Sequence, residues 1–499
     1  MLPQQKTGFI EDTSHSGASV SPSDSRPGFH SRSKRTVGLF LLFTLILAAL
    51  MALLIIVVDP LQFYHRTSWY TPVYSKQERY QNPGLAKNFD YDTIIIGTSM
   101  TENFLPSEVG ESLGGTAMKL SIEGSTVEEH YKMARLALET GKVKKVLWGL
   151  DYFSLKNPTP EEQQSFPDFL YDDKISNDYK YIFNSSVYTQ FFLSLKSSLL
   201  GNHTELEHLN NWNDTSTFSK ERVAKDYGDH SASEIYFGMN EEGLPELQER
   251  FNTYIDQLLT DYPDVEFNFY YPPYSIMRQV AWYNVNPKRY SNQLEMRKWM
   301  FSQINKHPNS RLYDFQSESD WTFNLDLYKD LSHHSGQVNS WIAQAVGRDD
   351  AKYRVTEDNI SLLNNNLESQ THSALMDKKG NVYAYEVTVN NANVPFTTRL
   401  VQEQGELFLP AKEVAASLGA TLQWDSAAKQ AVFTIKQHTL QMTAGQSKAE
   451  IDGQAVTMLH PILISGGRAM VPVQFVAEQL GLKADLNIDQ HEYQLSISE

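Results

Sequence analysis

Apolar residues follow three different rhythms along this chain. The first is a continuous run, 37–58, interrupted only by Gly38 and Thr44. The second is a set of short apolar bursts, 93–96, 146–150, 265–271 and 311–315, that stop at glycine, proline or polar turns. Bursts of this length predict strands buried on both faces. Between or beside them, 128–139, 244–259, 293–304 and 337–346 predict amphipathic helices. Tyr131, Leu136 and Leu138 make the expected buried stripe of the first; Leu247, Phe251, Ile255, Leu258 and Leu259 make that of the second. Strands alternating with helices predict an α/β domain with a mostly parallel sheet and helices on both faces.

The third rhythm is a repeat. Residues 407–419 are echoed by 469–481, with Pro410 matching Pro472 and Gly419 matching Gly481 at an offset of 62. Each copy predicts a short strand, a proline-started helix and a glycine stop, followed by strands that include 431–435 in one copy and 493–497 in the other. Nothing in the repeat groups a nucleophile, a base or metal ligands, so it predicts a binding or spacer module.

Two stretches break these rhythms. Residues 158–239 mix aromatics with polar turns and are too long for a simple connection. They predict a helical insertion, either with a small core of its own or serving as a lid or acceptor-binding wall. Residues 348–376, polar and Asn-rich at the start, predict a linker.

The run 37–58 changes the picture most. About 22 residues at a 1.5 Å rise reach about 33 Å, enough for a hydrocarbon layer of about 30 Å. Arg26, Arg32, Lys34 and Arg35 precede it, and Asp59 and Pro60 close it. The positive-inside tendency then predicts a single-pass anchor at the cell membrane, with a cytoplasmic N-terminus and the bulk of the chain extracytoplasmic. A cleaved signal peptide is the alternative; Asp59-Pro60-Leu61-Gln62-Phe63 does not fit its cleavage site. The Ser/Pro/Gly-rich residues 1–36 predict a disordered tail. The expected order is therefore tail 1–36, anchor 37–58, α/β domain 60–347, linker 348–376 and C-terminal module 377–499.

A formal charge of −17 over 499 residues argues against a nucleic-acid partner, which needs a basic face. The absence of cysteine removes disulfides, thiolate zinc sites and a cysteine nucleophile.

The candidate chemistry lies at the end of the first burst. Ile94-Ile95-Ile96-Gly97-Thr98-Ser99 delivers a serine to a sharp turn at a strand's carboxyl end, where open α/β sheets place ligands. Far downstream, Asp330-Leu331-Ser332-His333 puts an acid and a base in one tight loop. Ser99 is a weak nucleophile until a base takes its proton; His333 is the candidate base, and Asp330 the carboxylate that fixes its tautomer. The backbone N–H groups of Ser99 and Gly124 are the candidate oxyanion donors. Asp151 ends the second burst and either serves the site or caps a turn. Tyr271-Pro272-Pro273-Tyr274 ends the third and predicts a rigid pocket wall. His334 either packs structurally or touches substrate. A metal role for Asp330, His333 and His334 lacks a further cluster to complete the ligand set.

These motifs resemble the SGNH (GDSL-like) hydrolase superfamily. Ile94–Asn103 is similar to its nucleophile block and Asp330–His333 to its closing Asp-x-x-His block. The subgroup most similar is the membrane-anchored one that includes the D-alanyl transfer protein and alginate O-acetylation proteins. Over about residues 60–347 the resemblance implies a flavodoxin-like three-layer α/β/α fold without a cofactor. It also implies acyl-ester chemistry on a cell-wall or exported polysaccharide, as esterase or O-acyltransferase, beside a membrane-bound O-acyltransferase. A noncatalytic surface scaffold or glycan-binding protein that keeps the fold is the alternative. Thr98 stands where the Gly-Asp-Ser form has an acid, and Gly149-Leu150-Asp151 lacks the asparagine of the Gly-x-Asn-Asp block. The tail 377–499 resembles the copper amine oxidase N-terminal-like stalk domain, through Val387–Asn391, Trp424-Asp425, Gly467–Pro472 and Phe475–Gly481. The oxidase's catalytic domain has no counterpart here, so no copper is expected.

Overall fold

The computed structural model describes residues 29–200, 205–230, 242–390, 392–394, 396, 398–403, 405–489 and 492–498. The chain divides into two compact units between Val57 and Val58. All but the last residue of the apolar helix Phe29–Val58 belongs to the first, and its stretch Lys34–Val58 has a mean hydropathy of 3.2 and is long and apolar enough to cross a membrane. A signal sequence near an N-terminus has the same character. Residues 29–36, expected in the disordered tail, already belong to this helix; the rest of the expected tail, 1–28, lies outside the described residues.

The second unit is mixed α/β with several sheets. One sheet is wholly parallel: β1 (Thr93–Ile96), β2 (Ala117–Lys119), β3 (Lys145–Gly149), β4 (Glu266–Tyr271) and β5 (Ser310–Asp314), in the spatial order β2-β1-β3-β4-β5. Four of the five coincide with the expected bursts. β2 was not expected: it has three residues, one of them Lys119, too short and too polar for an apolar-run test. Strand order reverses at β1, which has β2 on one side and β3 on the other, the place where open α/β sheets bind ligands at the carboxyl ends of their strands.

Successive residues of a strand serve opposite faces. Ile95, Leu147, Tyr270 and Tyr313 share a buried cluster with Val109 and Leu113 of the helix Pro106–Leu113 and with Val338 and Ile342 of the helix Gly336–Gly347. Trp148, one residue past Leu147, instead donates its indole N–H to His130 Nδ1 at 3.3 Å, on the helix Val127–Leu138. That helix starts with a capping box, Thr126 with Glu129. Its buried stripe is Met133, Leu136, Ala137 and Leu138; Tyr131 is only half-buried, a departure from the expected stripe.

The described part of the insertion, expected at 158–239, consists of short helices and turns, the longest being Ser185–Leu200 and Lys220–His230; 201–204 and 231–241 lie outside the described residues. The expected linker is corrected. Its residues Ile360–Ser373 form a helix with Asn364, Leu367 and Thr371 buried. Asn364 accepts from Arg297 Nε at 2.8 Å and donates to the Leu294 carbonyl at 2.7 Å. The asparagine content that reads as solvated loop supplies partners to a buried guanidinium instead. Leu367, Ala374 and Val382 share one core with Met277 and Val280, so packing is continuous across the expected boundary.

Beyond Ser373, the repeat shows directly in the elements. Glu406–Pro410, Ala411–Leu418 and the hairpin Thr421–Asp425 with Gln430–Ile435 form the first copy. Arg468–Pro472, Val473–Gln479 and the hairpin Lys483–Asp489 with Glu492–Ser498 form the second. Gly419 and Gly481 take φ of 67° and 79°, the left-handed conformation that glycine ends helices with. The leading strands of the two copies pair antiparallel, Leu409 opposite Val471.

Candidate active site

β1 ends at Ile96, and Gly97 makes the turn at φ 154°. A Cβ at Gly97 would stand 2.5 Å from Thr101 Cγ2, so the close approach there requires glycine. Thr98 caps the single 3₁₀ turn Ser99–Thr101 that follows. Ser99 is thus the first residue beyond the turn, half-buried at the carboxyl edge of the sheet.

Ser99 Oγ lies 2.8 Å from His333 Nε2. The other ring nitrogen of His333, Nδ1, lies 2.9 and 2.8 Å from the two carboxylate oxygens of Asp330. Asp330 Oδ1 also accepts the backbone N–H groups of Ser332 and His333, both at 2.8 Å. Burial pushes the Asp330 carboxyl up, but these bonds outweigh it and hold the group well below the usual carboxylate range. An ionised Asp330 takes the Nδ1–H, which leaves Nε2 as an acceptor facing the Ser99 hydroxyl. The three residues singled out from separate ends of the α/β region therefore stand in one hydrogen-bonded line.

The other expected site residues fall elsewhere. Asp151 is 1% exposed and buried behind the Ser99 turn, bonded to Thr98. Its carboxylate accepts Thr98 Oγ1–H and Tyr274 O–H, each at 2.6 Å. Burial raises its pKa, with the two hydroxyl bonds working against that rise. Asp151 therefore holds the backbone turn that carries Ser99. Tyr271 is packed away, its hydroxyl donating to the Arg297 carbonyl at 2.9 Å and its ring 4.3 Å from the Arg297 guanidinium carbon. The pocket-wall expectation is corrected for Tyr271: alternation along β4 turns it to the helix Pro287–Ile304. Gly124 takes φ 62°. The β1–β2 register, Ile95 opposite Lys119, continues through the bond from Ile122 N–H to the Gly97 carbonyl and brings the loop of Gly124 alongside the Ser99 turn. Among the described residues no hydrogen bond engages the Ser99 or Gly124 backbone N–H. His334 is buried, its pKa pushed down to about 4 mainly by burial. Among the described residues no group of three or more His, Asp or Glu is set out to hold a metal ion.

Three further residues shape the site. Trp212, from the insertion, stands edge-on to the His333 ring at 5.6 Å and 88°. Its backbone N–H donates to Asn103 Oδ1 at 3.1 Å, and the neighbouring Asn213 Oδ1 accepts the Gly336 N–H at 2.8 Å, so this segment is tied down on both sides of the loop of His333. Arg278 Nε donates to Ser332 Oγ at 2.8 Å, inside the Asp-x-x-His loop. Tyr274 was legible only as part of the Pro-Pro turn, while nothing in the local pattern marks Trp212 or Arg278.

Comparison with known proteins assigns the tail. Residues 388–497 match the family described as copper amine oxidase N-terminal domain. This module carries the strand–helix–glycine repeat described above, and the match covers less than half of the chain. No curated protein matches the chain. Among solved structures, a protein from Streptococcus pneumonia assigned provisionally as a platelet activating factor is similar at 12% identity and a TM-score of 0.30, covering 56% of this chain and 92% of that one.

Proposed function

We propose that this chain is a membrane-anchored, extracytoplasmic serine esterase or O-acyltransferase of the SGNH type, acting on acyl esters of a cell-envelope or exported polysaccharide. The observation that carries the reading is the line Ser99–His333–Asp330. In the proposed reaction Ser99 Oγ attacks the acyl carbonyl while its proton passes to His333 Nε2. The imidazolium is stabilised by Asp330, and the carbonyl oxygen, now negative, sits against the Ser99 and Gly124 N–H groups. Collapse expels the alkoxide, which takes the proton from His333 and leaves an acyl-Ser99 ester. A water, or a sugar hydroxyl in the transferase, then gives its proton to His333 and takes the acyl group, restoring Ser99. Thr98, held by Asp151, fixes the height of the nucleophile, and Trp212 makes one wall of the acceptor side.

The strand order supports a flavodoxin-like reading of the parallel domain, with the site at the reversal point. The long apolar helix supports an anchor that leaves the domain outside the cell, where a membrane-bound O-acyltransferase would supply the acyl group. The copper amine oxidase N-terminal-like module takes an accessory role.

The test is labelling of the detergent-solubilised full chain with a fluorophosphonate. The wild type labels, Ser99→Ala does not, and the rate in His333→Ala falls by about 10³-fold or more. A folded wild type that stays unlabelled, or a Ser99→Ala variant that labels equally, refutes the enzyme and favours the noncatalytic scaffold.

A further inference from the structure

The C-terminal module carries an open groove of about 1110 Å³. That exceeds the span of roughly 300–1,000 Å³ typical of pockets for a single small molecule. Its floor is apolar, with Leu422, Trp424 and Ile464 in the lining, and Trp424 and Ile464 are 40% and 51% exposed. Lys412, Lys429 and Arg468 stand around it, all exposed. Arg468 is paired with Glu413 at 3.1 Å, whereas neither lysine has an ion-pair partner among the described residues. An exposed apolar floor rimmed by cations has the character of an interaction site.

The repeat sharpens the point. At the offset of 62, the prolines and glycines that shape each copy are retained, but Trp424 corresponds to Leu486 and Lys412 to Gln474. A repeat that served only as a spacer needs the turn residues alone. Trp424, Lys412 and Lys429 belong to the first copy, while Arg468 and Ala469, from the leading strand of the second, line the groove beside them.

We propose that this groove binds a strand of acidic polysaccharide. The C–H face of a pyranose ring is flat, weakly positive and apolar, and it stacks on the electron-rich face of an indole. Carboxylate or phosphate groups recurring along the polymer meet Lys412 and Lys429, in a chain whose overall charge of −17 otherwise repels a polyanion. A peptide bound as an added strand needs separate pockets for alternate side chains; this groove offers one ring on an open floor. The binding does not use Ser99, His333 or Asp330, so it stands apart from the proposed reaction.

The experiment measures fluorescence anisotropy of labelled oligogalacturonate with the full chain in detergent micelles, from low to moderate salt. The wild type and Ser99→Ala bind alike, and labelled dextran, which is neutral, does not bind. Trp424→Ala weakens binding by about tenfold or more, as loss of a stacking ring does. Lys412→Gln with Lys429→Gln, both at exposed positions that leave the fold alone, weakens it and flattens its salt dependence. The proposal is overturned if the wild type fails to bind, if both variants bind as the wild type does, or if poly-L-glutamate competes as well as unlabelled oligogalacturonate.

Discussion

The parallel-sheet region and the C-terminal module bury different things. Around the carboxyl ends of β1 and β3, the buried set includes Thr98, Glu102, Asn103, Lys119, Ser121 and Asp151, linked through hydroxyls, carbonyls and carboxylates. Beyond Ser373, the described side chains buried as a whole are apolar or, like Tyr385, aromatic, and only parts of polar side chains such as Glu406 and His460 reach the interior. The module's core is Leu407, Leu409, Phe433, Leu440, Met442, Val471, Val476 and their neighbours. Burying a polar group without a full set of partners costs about 1–3 kcal/mol, so an apolar core is the default for a region whose interior only has to pack. The first region bears that cost where it holds a serine turn in place. The module keeps most of its polar side chains at the surface, and its candidate binding chemistry is there.

Three substitutions put this contrast at risk. The largest effect is expected for Phe433→Ala. Phe433 is fully buried in an all-apolar cluster, and the cavity should cost about 3–5 kcal/mol. Thermal denaturation should show the loss, while fluorophosphonate labelling of Ser99 at low temperature stays intact. If labelling disappears as well, the two regions are not separable, and the core shared by Ala374, Val382 and Met277 couples them.

A smaller effect is expected for Tyr274→Phe, which removes one of the two hydroxyls donating to buried Asp151. The carboxylate is left under-satisfied, at a cost of about 1–3 kcal/mol, and the labelling rate should fall because Asp151, which anchors Thr98 through its other oxygen, loses one of its two supports. Unchanged stability and rate would show that Asp151 is not needed to hold the turn.

The third effect concerns pH. Burial, followed by repulsion from Glu78, pushes the Glu102 carboxyl up to about 10. The native state therefore keeps a proton that the unfolded chain releases above its ordinary value of 4.5. Linkage then makes stability fall as pH rises from about 5 towards about 10. Glu102→Gln removes this term, so its gain in melting temperature should be larger at pH 9 than at pH 6. An equal gain at both values would mean that Glu102 is ionised in the folded protein.

Much of the α/β region was legible because a strand buried on both faces has to be apolar throughout. That condition picks out β1, β3, β4 and β5, and it fails for β2, an edge strand of three residues whose Lys119 is satisfied by the carbonyls of Glu102 and Phe104. Ser99, His333 and Asp330 stood out because each sits in a short motif whose spacing has a chemical meaning. Trp212 did not, since its place depends on a bond to Asn103 made 109 residues away. The helix Ile360–Ser373 was missed for the opposite reason: its asparagines look solvated until Arg297 is seen to need one of them.

Local pattern alone determined that this chain has a membrane-length apolar helix, a run of buried strands and a twice-used strand–helix–glycine unit. Those features depend on residues near one another, through periodicity, turn chemistry and the left-handed glycine. Tertiary structure decided that Asp151 supports Thr98 instead of facing a substrate, that Tyr271 turns away, and that Trp212 borders His333. Such outcomes depend on which side chain meets a given polar group after the crossovers close, and that is a property of the packed sheet.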